Sequence, residues 1–149
     1  MAHDFKKFPE LSNSQMEIYY FESPHKQILE SFDGKVTKVT DGDTIHVKWR
    51  DRVKPVVVRF IDTAAPERDE SGGEESRRWL DSQIMNKDVE VIVDPKNRIG
   101  KWGRILGRII QGGRDINRTS VEQGFAVDFE SRKEGQIIDF DKELEGARI

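Results

Sequence analysis

Lys35-Val36-Thr37-Lys38-Val39-Thr40-Asp41-Gly42-Asp43-Thr44-Ile45-His46-Val47-Lys48-Trp49 is the stretch whose pattern decides the fold. Val36, Val39, Ile45, Val47 and Trp49 are apolar among charged and hydroxyl neighbours, and Asp41-Gly42 stands between the two runs. Alternating β-branched residues on either side of an Asp-Gly pair predict a β-hairpin. Val53 to Phe60 reads as a third strand, with Pro55 near its start, where a missing N–H is tolerated. A period of two assigns Val56, Val58 and Phe60 to one face of that strand, and Val57, Arg59 and Ile61 to the other.

Downstream, Ser71-Gly72-Gly73 breaks the chain before a helix. Glu74 and Glu75 fall in its first turn, where the helix dipole favours acids. Trp79, Leu80, Gln83 and Ile84 give it a mostly apolar face at three-to-four spacing. Val89 to Val93 is a fourth strand, ended by Asp94-Pro95, and Arg104 to Ile110 a fifth, followed by a Gly112-Gly113 turn. Ile116 to Gln123 reads as a short helix stopped by Gly124, and Ile137 to Leu144 as a last helix. This order predicts an α+β, mainly β fold, a five-stranded OB-type barrel with about three helices. Residues 1–32 read as an N-terminal extension or arm, and residues 33–149 as the barrel domain. Within the arm, Met16, Ile18 and Tyr20 alternate as a short strand or an adhering segment, and Ser23-Pro24 marks a turn.

The chain has 149 residues, enough for one domain that buries about 68–70% of its unfolded surface. Hydrophobic residues make up 35% and charged residues 36%, so a compact core must sit under a densely ionic surface. The absence of cysteine excludes disulfides, thiolate zinc sites and thiol nucleophiles. His3, His25 and His46 are scattered without metal-ligand spacing. No apolar run approaches the roughly 18 residues of a membrane span, and Met1 to Glu10 lacks a signal-peptide apolar stretch. The expectation is a cytoplasmic protein with no membrane partner. A net charge of -3 argues against a chain whose one task is to grip nucleic acid. The charge is unevenly spread, however. From Asp94 to Arg118 seven basic residues stand against two acidic ones, whereas Asp62 to Glu75 holds six acids and one base. Asp128 to Glu145 holds seven acids and three bases. A basic middle between acidic flanks is the pattern of a phosphate-binding face beside a metal-binding loop, or of an ordinary solvated surface.

Three segments hold the residues with chemical potential. They are Asp41 to Thr44, then Arg59-Phe60-Ile61-Asp62-Thr63-Ala64-Ala65-Pro66-Glu67, then Lys101-Trp102-Gly103-Arg104. Carboxylates at a turn supply hard oxygen ligands suited to calcium. A further carboxylate can orient or deprotonate a water. Two arginines suit a phosphodiester whose charge redistributes in the transition state. Each segment also has a plain reading. Asp-Gly-Asp-Thr is a common polar turn, Arg59 can be answered by a nearby carboxylate, and Glu67 and Arg104 can be surface groups.

Together and in this order, the segments resemble the staphylococcal nuclease (thermonuclease) family over about residues 34–130. The Gly73 to Ser76 helix start and the Val121-Glu122-Gln123-Gly124-Phe125-Ala126 stretch add to the match. The resemblance implies an OB-type barrel with helices and calcium-dependent hydrolysis of DNA and RNA phosphodiesters; the expected partner is DNA or RNA, single strands favoured, and the expected state a monomer. It implies products with 5′-hydroxyl and 3′-phosphate ends. By that resemblance Asp43 is a calcium ligand, Asp41 and Thr44 support the turn, and the Ala65 carbonyl is a backbone ligand. Arg59 contacts the scissile phosphate, Glu67 positions or activates the attacking water, and Arg104 stabilises developing charge or the leaving oxygen.

One position departs from the family pattern. The family carries a calcium-ligating aspartate three residues before its Pro-Glu glutamate, and here that residue is Ala64. Asp62 lies two residues earlier, on the same strand face if the strand persists but about 6.6 Å along it, and replaces the ligand only if the backbone shifts. Losing one of two direct carboxylates weakens calcium binding, since affinity follows ligand charge count. Three accounts of Ala64 fit the sequence. The site is rebuilt around Asp62, Asp69 or Glu70; or alanine was introduced to trap a complex; or a weakened nuclease is kept for binding. The alternative function is a non-catalytic OB module that binds nucleic acid or protein.

Overall fold

The computed structural model describes residues 8–19, 23, 26–100 and 103–128. The expected hairpin is β1 (Phe32–Asp41) and β2 (Thr44–Lys48), joined by the two-residue Gly42-Asp43 turn. Val36 faces Val47 and Val39 faces Ile45 across the antiparallel ladder, and irregularities between Val36 and Lys38 and between Val39 and Asp41 bend β1. The third strand, β3 (Val56–Phe60), starts later than the pattern predicts. Val53 is 92% exposed in the preceding loop, and Pro55 ends that loop. Val56, Val58 and Phe60 are buried and Val57 and Arg59 are half-buried, as the period of two requires.

Two short strands, β4 (Thr63–Ala64) and β8 (Val127–Asp128), pair outside the main sheet. The fourth and fifth predicted strands are β5 (Asp88–Ile92) and β6 (Ile105–Gln111). The two-residue β7 (Arg114–Asp115) turns back on β6 through Gly112 and Gly113, both at positive φ. The strand order is β3-β2-β1-β5-β6, and β3 pairs in parallel with β6 to close the barrel. Closure leaves little room inside. A Cβ on Gly107 would lie 2.6 Å from Val91 Cγ1 and 3.1 Å from Val58 Cγ1. Val36, Ile45, Val47, Val58, Ile105 and Ile109 fill the interior with no exposure. Each such buried side chain contributes about 1.5–3 kcal/mol of transfer free energy.

The helix after Gly72 is α2 (Gly73–Ile84), with Glu74 and Glu75 in its first turn. Its buried stripe is Gly73, Ser76, Leu80 and Ile84 rather than the predicted set; Trp79 and Gln83 sit half-buried at the edge. Trp79 stacks on Phe125 at 5.1 Å between centroids. The next helix, α3 (Ile116–Glu122), starts where Asp115 accepts from the Arg118 N–H and ends before Gly124 at φ 83. The last predicted helix, Ile137 to Leu144, lies outside the described residues.

The arm adheres to the barrel, one of its two expected forms, but is not the expected strand. Asn13–Tyr19 is a helix, α1, not a strand. The reason is local: the Gln15 N–H donates to Ser12 Oγ, and the Ser12 N–H donates to Gln15 Oε1. This reciprocal capping box was legible in the Ser-x-x-Gln spacing and outweighs a weak alternation of apolar residues. Leu11 and Ile28 of the arm are fully withdrawn from water. Among the described residues no helix is long and apolar enough to cross a membrane.

Candidate functional site

The β1–β2 turn and the end of β3 meet because Thr44 pairs with Arg59 across the ladder, and the Phe60 N–H donates to the Asp43 carbonyl at 2.8 Å. Arg59 thereby points its guanidinium at Asp43. Nη2 lies 3.2 Å from Oδ2, with the two side chains only 14% and 10% exposed. Nη1 donates to the Phe60 and Thr63 carbonyls at 2.7 and 2.8 Å, which holds the chain where β3 ends. Asp43 Oδ2 also accepts from the Ala65 N–H at 2.9 Å, and Oδ1 accepts from the Thr44 hydroxyl at 3.0 Å. Each oxygen of this carboxylate is thus engaged by the protein itself.

Asp41 stands at the other shoulder of the turn, half-buried. Burial, and then the Asp43 charge, push its carboxyl above the usual carboxylate range. The Arg68 backbone N–H, which it accepts from, and the charges of Arg68 and Arg104 pull the other way. The charge of Arg104 thus reaches Asp41, while Arg59 contacts Asp43 directly. Glu67 is exposed on the loop between β4 and α2. Its backbone is held by Glu70, whose carboxylate accepts from the Glu67 N–H at 2.9 Å. Lys101 and Trp102, the first half of the predicted Lys-Trp-Gly-Arg box, lie outside the described residues.

Asp62 does not join Asp43. Strand β3 stops at Phe60, and Asp62 takes φ 63, the left-handed region that aspartate tolerates better than most residues. Its carboxylate pairs with Arg108 Nη2 at 3.1 Å, while Arg108 Nη1 reaches Asp115 at 2.9 Å. The same-face argument fails because the strand does not persist. Ala64 is fully buried in the β4–β8 pair.

The donors present do not fit a calcium centre. Calcium takes six to eight oxygens, usually with several carboxylates. Here Asp43 is engaged by Arg59, Asp41 is half-buried with its carboxyl held above the usual range, Ala64 offers no side-chain oxygen and Asp62 faces Arg108. Among the described residues no three His, Asp or Glu side chains gather in a metal-holding group.

Three supporting residues escaped the sequence reading. Asn117, with no exposure, accepts from the Ile109 N–H and donates to the Ile61 and Gly107 carbonyls, tying the end of β3 to β6 and α3. Its only signal was a polar residue on the inner side of an amphipathic helix. Ser76 donates to the Phe125 carbonyl at 2.6 Å and backs the turn so closely that a Cβ on Gly42 would meet its Oγ at 2.1 Å. Arg68 shields Asp41 through its backbone N–H and its charge.

The model of the staphylococcal nuclease homologue family matches residues 57–148. An "Uncharacterized endonuclease" of Escherichia coli is 35% identical over 106 residues, covering 70% of this chain and 66% of its own length. "Protein ParB" of Escherichia coli is 30% identical over 128 residues, covering 78% of this chain and 70% of its own. The "Micrococcal nuclease" of Shigella flexneri is 27% identical over 130 residues, covering 79% and 72%. The chain thus spans about two thirds of the length of these relatives, and about half or less of several others it matches. On the family match and these relatives, the chain belongs to the staphylococcal nuclease homologue family.

Proposed function

We propose that the domain binds the phosphodiester backbone of single-stranded DNA or RNA where Arg59 and Arg104 meet the Asp41–Asp43 turn. Its hydrolysis of that backbone is weak, because the calcium donor set is short by one carboxylate at Ala64. The observation that carries the reading is Arg59 held against Asp43 at the β1–β2 turn, with the charge of Arg104 acting on Asp41 of the same turn. Relatives named as endonucleases and as a micrococcal nuclease support the substrate class. In this reading Arg104 neutralises charge building on the phosphate, and Arg59 contacts one of the phosphate oxygens. Glu67, exposed on the loop after β4, takes a proton from an attacking water in the same reading. Calcium dependence belongs to the family expectation, and no step here is routed through the ion.

The test compares the chain as it stands with Ala64→Asp on a single-stranded DNA oligonucleotide, with calcium and then with a chelator. The expected result is salt-dependent binding by both. Calcium-dependent cleavage should be weak or absent in the first and gained in the second. Cleavage by neither refutes the enzyme reading. A flat salt response, or no binding, refutes the nucleic-acid reading.

A further inference from the structure

The segment before β6 delivers Arg104, and the N-terminal arm grips that segment at three points. At the first, Asn13 Nδ2 donates to the Pro95 carbonyl at 3.0 Å. At the second, Arg98, whose side chain is 1% exposed, spends its guanidinium almost wholly on the arm. Nε donates to the Ile28 carbonyl at 2.5 Å, and Nη1 donates to the Leu11 carbonyl and Asn13 Oδ1 at 3.0 Å each. Nη2 faces Glu10 Oε2 at 3.4 Å. At the third, Phe8 lies against Gly103, where an added Cβ would come within 2.8 Å of Phe8 Cδ1 and where φ is 72. Only glycine accepts both the ring and that backbone angle.

The arm is itself locked. Glu10, 2% exposed, also pairs with Arg52, and its Oε2 accepts from the Ile28 N–H. Gln27 closes the arm on itself by accepting from the Leu11 N–H and donating to the Pro9 carbonyl. Buried charge is a poor route to stability, since apolar residues of similar volume often do as well. Its better-attested use is to fix register. What is registered here is the path into β6. The Arg98 carbonyl accepts from the Leu106 N–H, the Gly100 N–H donates to the Arg104 carbonyl at 2.7 Å, and Ile99 bridges Ile105. The backbone at Arg104 is thus laddered to a segment whose anchor is the arm.

We infer that Phe8 to Asn13 form a clasp that positions Arg104, with Phe8, Asn13 and Arg98 as positioning residues that do not themselves touch the ligand. The assignment rests on the phosphodiester reading of Arg104 proposed above. It makes the arm part of the site's machinery rather than an appendage to the barrel.

The experiment uses the full chain and the variants Phe8→Ala, Asn13→Ala, Arg104→Ala and Phe8→Ala/Arg104→Ala. The first two sit at the rim of the clasp and spare the buried Glu10–Arg98 pair, so the barrel is expected to keep its melting transition. Amide hydrogen exchange is read at Gly100 and Leu106, and binding of a labelled oligothymidylate is read against salt. The clasp predicts faster exchange at those two amides in Phe8→Ala and Asn13→Ala. Affinity should fall severalfold, and the salt slope should drop by about 0.7, the share of one phosphate contact on a single strand. In the double variant, losing Phe8 adds nothing to the loss of Arg104. A merely structural arm would move the melting transition without touching the salt slope. Unchanged exchange, unchanged binding in Phe8→Ala, or full additivity in the double variant overturns the assignment. If Arg104→Ala itself leaves binding intact, the phosphodiester reading fails, and the exchange result alone decides whether the clasp exists.

Discussion

Asp43→Ala removes the anion that answers a nearly buried arginine. The pair is 3.2 Å apart, and its side chains are 14% and 10% exposed. Deleting one partner of such a pair costs about 3–5 kcal/mol, because the other charge stays out of water. Arg59 keeps the Phe60 and Thr63 carbonyls as acceptors. That places the expected loss near the lower end, about 3 kcal/mol. At about 2–4 °C per kcal/mol for a chain of this size, melting falls by roughly 6–12 °C. Arg59→Met should cost a similar amount by leaving Asp43 without its cation. The double variant should cost less than the two singles combined, by about 2 kcal/mol, since no charge is then stranded. Urea unfolding of the four proteins closes this cycle. Additivity to within about 0.5 kcal/mol would refute the coupling. Calcium adds a second check, because an ion that binds the folded chain raises its stability by mass action. With Asp43 committed to Arg59, about 10 mM calcium should leave the urea midpoint unmoved, and a gain of about 1 kcal/mol would show that the carboxylate is available after all.

Three further outcomes are expected. The raised Asp41 carboxyl means that folding takes up a proton, so its contribution to stability falls as pH climbs from its ordinary 3.8 through its folded value. Asp41→Asn should therefore be no gain at the acid end and a growing gain toward neutrality, read from urea unfolding across about pH 3 to 7; a constant difference would contradict the shift. Gly42→Ala forces a Cβ to within 2.1 Å of Ser76 Oγ and 2.8 Å of Ala65 Cβ, and should destabilise by about 1–3 kcal/mol in a thermal melt. Asn117→Ala strands the buried Ile109 N–H and removes the donor to the half-buried Ile61 carbonyl, and should cost about 2–4 kcal/mol, with faster amide exchange at Ile109.

The barrel and its helices were legible in the sequence wherever the signal is local. The Val36–Val47 alternation, the Gly112-Gly113 turn and the Gly124 stop each act within a few residues, and the structure carries all three. Reading failed where two local signals competed. In the arm, the Ser12–Gln15 capping box overrode the alternation of Met16, Ile18 and Tyr20, because two satisfied backbone donors outweigh a two-period pattern with no sheet to join. At Val53, strand propensity yielded to Pro55 and an exposed loop.

By itself, then, the sequence determined the hairpin, the succession of strands and helices that builds the barrel, and the motifs of the family. It also determined that a carboxylate is missing at Ala64. Only the tertiary structure decided the fate of the remaining charges. Asp62 leaves the metal side for Arg108, Arg59 takes Asp43 for itself, and Glu10 spans Arg52 and Arg98 to bind the arm to the path of Arg104. A periodic pattern is summed along the chain, so it survives without a fold. A buried charge must be answered by whichever opposite charge the fold brings within about 4 Å, and that choice does not exist until the strands have closed.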